Sequence, residues 1–222
     1  MIKGFVFDFD GLILDTETPS YTSWNSIFAE YDETLPLAVW LLSVGTAINT
    51  FDPVDYLEKQ KKQQLDRPAI LARQAEMEKE MILKQPIMPG VELFISEAKK
   101  MGYSLGVASS SPRAWVGGHL SRLGLIDQFE TIVTQEDVVK TKPFPYLFEK
   151  AVKNLNLFPY QVIAFEDSGL GITAAKAAGI FTIAIPNQLT KNIKLDHADL
   201  VIESMANLHP HILMDMISLQ TE

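Results

Sequence analysis

The sequence of 222 residues contains no cysteine, and this absence excludes several classes of protein. Without thiols the chain can form neither disulfide bonds nor a cysteine-ligated zinc site, and it has no cysteine nucleophile. The chain also has no excess of basic residues, since its formal net charge is −9. Because binding to a nucleic-acid backbone requires a basic surface, we expect no nucleic-acid partner.

Long apolar runs are missing as well. No stretch approaches the roughly 20 apolar residues that cross a bilayer as a helix, so we expect no membrane segment and a cytoplasmic location. Apolar residues still make up 47% of the chain, which at this length is sufficient for a substantial buried core. We expect a monomer by default.

The sequence does contain a regular alternation of short apolar runs and helical patterns. The helical patterns are bounded by proline near their starts and glycine near their ends, as in many helices of known structure. Strands that alternate with helices predict an α/β fold with a doubly wound, Rossmann-like parallel sheet. The predicted strands cover residues 2–7, 103–108, 131–134, 161–165, 181–185 and 200–202.

One long segment interrupts this alternation. From about residue 19 to residue 84 the pattern is helical throughout, and Pro36, Pro53 and Pro68 begin three of four short helices. Consecutive helices without strands form a bundle, so we predict a helical cap domain over residues 17–85, inserted into a core of residues 1–16 and 86–222. The two connections, at 14–18 and 85–89, are the predicted hinges.

Acidic residues follow two of the predicted strands. Asp8 and Asp10 follow the first strand, and Glu166 and Asp167 follow the fourth. Each pair taken alone is also explained by an acidic turn or by the start of a helix, without a functional role. Ligands bind at the carboxyl edge of parallel sheets, however, so both pairs are placed to converge there. Carboxylates are ligands that Mg²⁺ prefers, and the two pairs together indicate a metal site.

A serine run and a lysine follow other strands. Ser109 and Ser110 lie at the end of the second strand, where hydroxyl and N–H groups can bind phosphate oxygens. We interpret Ser111 as the cap of the helix that follows. Pro143 keeps Lys142 extended, so that its ammonium group can face a phosphoryl group, although a solvated loop lysine is the alternative.

The order and spacing of these motifs resemble those of the haloacid dehalogenase-like superfamily. The matching segments are DFDGLILDTE, VASSS, KPFP and FEDSGLGITAAKAAG, and PGVELFISEAKKMG resembles the point where that family's chain re-enters its core. The chain is most similar to the subfamily with a helical cap after the first strand, which includes β-phosphoglucomutase and sugar-phosphate phosphatases. The resemblance extends over essentially the whole chain and is weakest in the cap.

The resemblance implies a Mg²⁺-dependent phosphatase acting on a small phosphate ester. Asp8 is implied to attack phosphorus and form an aspartyl phosphate, with Asp10 as general acid and then general base. The implied metal ligands are Asp8, the backbone carbonyl of Asp10, and Asp167, with Glu166 acting through a water or a ligand. The residues implied to bind the phosphoryl oxygens are Ser109, Ser110 and the catalytic Lys142.

Two alternative functions remain open at this point. β-Phosphoglucomutase carries a histidine at the place of Ser20 and an arginine soon after a glycine matching Gly45. This chain has neither, which favours hydrolysis over mutase activity. A phosphorylatable aspartate with serine and lysine also resembles a non-catalytic, phosphate-sensing receiver module, but such a module needs no cap. Dehalogenation is disfavoured, because the dehalogenases lack the second carboxylate that Asp10 provides.

Overall fold

The computed structural model describes residues 1–41 and 51–220 and places a six-stranded sheet at the centre of the fold. The strand order is β3-β2-β1-β4-β5-β6, and every neighbouring pair is parallel. The predicted α/β fold is therefore confirmed, and all six strands lie within a residue or two of their predicted positions. The strands are β1 Gly4–Phe7, β2 Ser104–Ala108, β3 Thr131–Val133, β4 Val162–Glu166, β5 Phe181–Ala184 and β6 Leu200–Val201.

Helices cover both faces of the sheet, and β1 shows why. Successive side chains of a strand point to opposite faces, so Phe5 and Phe7 enter one apolar cluster and Val6 enters another. In the first cluster Phe7 stacks on Phe165 of β4 with ring centroids 5.1 Å apart. The core helices are α5 Val91–Lys100, α6 Arg113–Arg122, α7 Tyr146–Asn154, α8 Gly169–Ala177 and α9 Pro210–Gln220, with 3₁₀ turns at Ile126–Gln128, Gln135–Asp137, Pro159–Gln161 and Thr190–Asn192.

Four helices lie between β1 and α5 in the described part of the chain, and we call them the helical insertion. They are α1 Glu17–Glu30, α2 Leu37–Trp40, α3 Pro53–Lys61 and α4 Arg67–Leu83. Local sequence explains two of their starts, because Asp52 and Asp66 accept N–H groups of the first turns of α3 and α4, each with proline close behind. The insertion has its own apolar cluster, in which Trp24 is 6% exposed.

The two connections of the helical insertion run side by side. Leu14, which is fully buried, pairs with Ile87 in an antiparallel bridge, and the N–H of Met88 donates to the carbonyl of Ile13 at 2.9 Å. The chain thus leaves and re-enters the core at one place. Within residues 1–41 and 51–220, no helix is both long and apolar enough to cross a membrane.

Candidate active site

Asp8 lies directly beyond β1 at the carboxyl edge of the sheet. Its N–H donates to the carbonyl of Phe165 at 3.0 Å, which continues the pairing of β1 with β4 by one residue. The Nζ atom of Lys142 is 2.5 Å from Oδ1 of Asp8 and 2.5 Å from Oε1 of Glu166. Lys142 is 4% exposed, so this cation is held in the interior by two carboxylates.

Three of the four carboxylates that the sequence places at strand ends cluster at this edge. Asp8, Glu166 and Asp167 are all buried, and each offers an oxygen within 4.8 Å of the others. Burial, reinforced by the charge of Glu166, raises the pKa of Asp8 to about 7 despite the nearby ammonium of Lys142. Burial, reinforced by the charge of Asp8, likewise raises the pKa of Asp167 well above its usual range.

The charge of this cluster is unbalanced, which bears on whether it fits a metal ion. Burial alone would lower the pKa of Lys142, but the charges of Asp8 and Glu166 outweigh it and hold the pKa above its usual range. Lys142 therefore supplies one positive charge against three carboxylates. The excess negative charge and the hard oxygen donors fit a divalent cation such as Mg²⁺.

The start of α8 holds the Glu166 side chain in position. Its Oε2 accepts from the hydroxyl of Ser168 at 3.1 Å, and the Ser168 Oγ accepts from the N–H of Gly171 and so caps the helix. A Cβ at position 171 would overlap the Glu166 carboxylate, so glycine is required there. Ser168 is thus the cap of α8, and Glu166 packs beneath this helix start while facing Lys142.

Asp10 lies apart from the three clustered carboxylates and has its own set of hydrogen-bond donors. Its Oδ2 accepts from the hydroxyls of Ser111 at 2.6 Å and Ser109 at 3.3 Å. Its Oδ1 accepts from Nε1 of Trp115 at 2.9 Å. The two aspartates of the DFD motif therefore have different surroundings: Asp8 faces a buried lysine, and Asp10 faces neutral donors.

The serine run follows β2 at the carboxyl edge of the sheet. Ser109 is fully buried, and its Oγ accepts from the N–H of Ser111 at 3.0 Å. The buried Oγ of Ser110 has no hydrogen-bond partner among the described residues. The interpretation of Ser111 as the helix cap is wrong, because its hydroxyl binds Asp10, and the first N–H of α6, that of Arg113, donates instead to Glu136.

Sequence reasoning did not single out Trp115, Asn187 or Glu17. Trp115 lies in the first turn of α6, and Asn187 follows β5 at the edge where the other site residues lie. The Asn187 Nδ2 donates to Oδ2 of Asp167 at 2.7 Å. The strand-end rule that identified Asp8 would have flagged Asn187, whereas no local pattern indicates Trp115.

Glu17 brings a further acid to the site from the helical insertion. It is the first residue of α1, and burial, followed by the charges of Asp10, Asp15 and Asp8, raises its pKa to about 8. Ser20 is partly buried on the same helix. Gly45 and residues 46–49, which bear on the mutase alternative, lie outside the described residues.

The chain is similar to known proteins over most of its length. Residues 5–185 match the model of the haloacid dehalogenase-like hydrolase family. The candidate phosphatase YhcW of Bacillus subtilis (strain 168) is 42% identical over 99% of this chain and 100% of its own length. The fructose-1-phosphate phosphatase YqaB of Escherichia coli (strain K12) is 28% identical over 82% of this chain and 95% of its own length.

A solved structure supports the fold over the full length. The crystal structure of β-phosphoglucomutase from Clostridium difficile superposes with a TM-score of 0.75 at 22% identity, covering 100% of this chain and 99% of that one. At this identity the likeness concerns the fold alone. The match to the family model, together with the 42% identity to YhcW, shows that the chain belongs to the haloacid dehalogenase-like hydrolase family, as one of its phosphatases.

Proposed function

We propose that the protein is a Mg²⁺-dependent phosphomonoester hydrolase that acts on a small phosphorylated metabolite through an aspartyl phosphate on Asp8. The observation that carries this proposal is the contrast between the two aspartates of the DFD motif. Asp8 lies 2.5 Å from the Lys142 ammonium beside two further carboxylates, whereas Asp10 is held by Ser111 and Trp115. One carboxylate is suited to nucleophilic attack and the other to proton transfer.

In the first step an Asp8 oxygen attacks phosphorus and the bond from phosphorus to the ester oxygen breaks. The ammonium of Lys142 favours the ionised form of Asp8 against the effect of burial, and it also offsets the charge of the incoming phosphoryl oxygens. Without such cations, two anions would repel each other at the moment of attack. We propose that the phosphoryl oxygens are bound by Ser109, Ser110 and Lys142.

Asp10 moves the protons of both steps. Its protonated carboxyl donates to the departing alkoxide, which becomes the alcohol product. The resulting Asp10 carboxylate then takes a proton from the water that attacks the aspartyl phosphate. Inorganic phosphate leaves, the bond to Asp8 breaks, and Asp10 is again protonated for the next cycle.

We propose that the divalent cation is held by Asp8, Asp167 and the backbone carbonyl of Asp10, with Glu166 supporting these ligands. When bound, Mg²⁺ neutralises negative charge on the phosphoryl oxygens and on the buried carboxylates. The excess of buried negative charge at Asp8, Glu166 and Asp167 supports this assignment.

We propose that residues 17–85 form the cap domain and that the helical insertion closes over the site to exclude water until substrate is bound. The position of Glu17 supports this role, because the first residue of α1 lies close enough to Asp8 and Asp10 for their charges to affect its pKa. The name of YqaB as a fructose-1-phosphate phosphatase favours a sugar phosphate as substrate.

A panel of phosphate esters incubated with the purified protein and Mg²⁺ tests the proposal. We expect release of inorganic phosphate, greatest from sugar phosphates, and loss of this release after exhaustive chelation with EDTA. Full activity in EDTA would contradict the metal dependence. Absence of release from every ester, with stable phosphorylation of Asp8, would support the phosphate-sensing alternative.

The mutase alternative has a direct test, motivated by the fold shared with β-phosphoglucomutase. The enzyme is incubated with β-glucose 1-phosphate and a trace of β-glucose 1,6-bisphosphate. We expect inorganic phosphate to accumulate, because Ser20 stands where the mutase carries histidine. Formation of glucose 6-phosphate with little free phosphate would replace the hydrolase by the mutase.

A further inference from the structure

The loop after β5 contributes a buried side chain that the proposed mechanism does not use. Asn187 is 4% exposed, and its Nδ2 lies 2.7 Å from Oδ2 of Asp167 and 3.3 Å from the carbonyl oxygen of Gly11. This one amide therefore contacts the loop after β1 and the acidic end of β4. It bridges the two segments that supply the carboxylates of the site.

The orientation of the Asn187 amide is fixed by its partners. Its Oδ1 accepts from the N–H groups of Leu189 and Thr190, both at 2.9 Å. The backbone N–H of Asn187 donates to the Thr190 hydroxyl at 2.9 Å, which also fixes the position of the residue. The partners on one side are donors, and those on the other side, a carboxylate and a carbonyl, are acceptors. A flipped amide would lose all four of its side-chain contacts, so Nδ2 is held towards Asp167.

Gly11 shows how closely this arrangement is packed. Its φ of +79° is a conformation that favours glycine. A Cβ at this position would overlap Oδ2 of Asp167 and lie 2.7 Å from Nδ2 of Asn187. The DFDG turn therefore closes directly over the Asp167–Asn187 pair, and the glycine of that motif makes room for it.

We infer that Asn187 is a positioning residue that sets the affinity of the site for its divalent cation by holding the Asp167 carboxylate. Donation from Nδ2 occupies Oδ2 and leaves Oδ1 for the cation. A ligand whose rotamer is already fixed loses less conformational freedom when it binds a metal, and removal of such supporting partners typically weakens binding. The inference rests on the proposed function, since it takes Asp167 as a metal ligand.

The test separates the donation to Asp167 from the role of Asn187 in its own loop. Asn187→Ser keeps a side-chain oxygen that can accept from the N–H groups of Leu189 and Thr190, but a serine hydroxyl is too short to reach Asp167. Asn192→Ser is the matched control. Asn192 lies in the same loop, where its Nδ2 donates to the Leu189 carbonyl at 3.0 Å, away from the carboxylates.

Binding of Mg²⁺ to the full-length protein is measured by isothermal titration calorimetry, and the melting temperature is measured with and without EDTA. We expect Asn187→Ser to raise the Kd for Mg²⁺ by about 10- to 100-fold, the usual range for partners of metal ligands. The KM for the phosphate ester and the melting temperature in EDTA should stay near those of the wild type. Asn192→Ser should bind Mg²⁺ like the wild type.

Equal Mg²⁺ affinity of Asn187→Ser and the wild type would overturn the inference, whether or not the melting temperature falls. An equal loss of affinity in Asn192→Ser would also overturn it, because the effect would then belong to the loop as a whole. A wild-type protein that binds no Mg²⁺ would instead refute the metal dependence of the proposed function, and the inference with it.

Discussion

The carboxyl edge of the sheet and the helical insertion differ in what they bury. At the sheet edge, Asp8, Lys142, Glu166 and Asp167 are buried charges that face one another. The insertion buries an apolar cluster around Trp24. Burial of closely placed charges at the edge lowers the folding stability, whereas the insertion is stabilised by an ordinary small apolar core. This contrast is the basis on which we propose that the chemical step belongs to the edge and that the insertion selects the substrate.

The two regions meet at several places, and the loop after β5 is one of them. Leu189 follows the amide of Asn187 by two residues and is buried in the apolar cluster of the insertion, although it belongs to the loop after β5. Polar side chains are also buried within the insertion. Gln74 is 6% exposed and donates to Ser23 and Glu78, both at 3.0 Å. The following predictions test how far the division between chemistry and selection holds.

The largest effect is expected at Asp8. Asp8→Asn should abolish turnover for every phosphate ester, because an amide is not an anionic nucleophile and is a poorer ligand for Mg²⁺. Steady-state phosphate release measures this, and circular dichroism checks that the fold is intact. Asp127→Asn, at an exposed aspartate of the core, is the control and should be fully active. A beryllium fluoride mimic should bind Asp8 in the wild type; an adduct on Ser109 would contradict the assignment.

A smaller effect that depends on the substrate is expected at Asp10. Asp10→Asn should lower kcat by about 10²–10⁴ for a sugar phosphate, the usual range for general acid–base catalysis. An aryl phosphate should lose less, since its phenolate departs without a proton. Parallel kinetics on the two substrates measure the ratio. Equal losses on both would mean that Asp10 does not protonate the leaving group.

The buried charges of the edge should also make the metal-free protein sensitive to pH. The pKa of Asp8 is raised to about 7 by burial and by Glu166, above the 3.8 of an exposed aspartate. Between those values the folded state binds the proton more strongly than the unfolded state, so the free energy of unfolding should fall as pH rises from about 4 to 7.

Denaturant titrations in EDTA across this pH range measure that slope. Asp8→Asn removes one of the groups with a raised pKa, beside Asp167 and Glu17, and should reduce the slope. Saturating Mg²⁺ should offset the loss of stability by binding the ionised carboxylates. Stability that rises over the same range in the EDTA-treated wild type would mean that the carboxylates are stabilised in their charged form without a cation.

The smallest effect is expected within the insertion. Gln74→Met keeps the size of the side chain but removes its donation to Glu78, whose charge contributes to the raised pKa of Glu17. We expect KM for a sugar phosphate to rise by about 2- to 10-fold, which corresponds to the free energy of one lost hydrogen bond. The kcat for an aryl phosphate should stay unchanged. A loss of kcat on the aryl phosphate would show that the insertion takes part in the chemical step.

Much of the fold and part of the site could be predicted from the sequence because they depend on local patterns. Each buried strand is a short apolar run, and Asp8, Asp10, Glu166 and Asp167 come within three residues of a strand end. Parallel pairing then brings two of those ends together, since Phe7 lies opposite Phe165. The roles of these carboxylates in catalysis stay predictions.

The error at Ser111 shows where local rules stop. A serine before a helix is a common cap, but here the stronger acceptor is the carboxylate of Asp10, 101 positions away in the sequence. The helix is capped by Glu136 instead, which no pattern near Ser111 indicates. A capping rule compares neighbours in the chain, and both of these partners are distant in it.

The sequence by itself determined the order of elements along the chain. It indicated six apolar strands, a helical segment after the first strand, and acidic residues at the ends of the first and fourth strands. Tertiary structure alone decided which donor serves which carboxylate. Trp115 reaches Asp10, Lys142 lies between Asp8 and Glu166, and Asn187 holds Asp167. The physical reason is range: strands and caps follow from interactions over a few residues, whereas these contacts join loops that meet only because a parallel sheet gathers its strand ends at one edge.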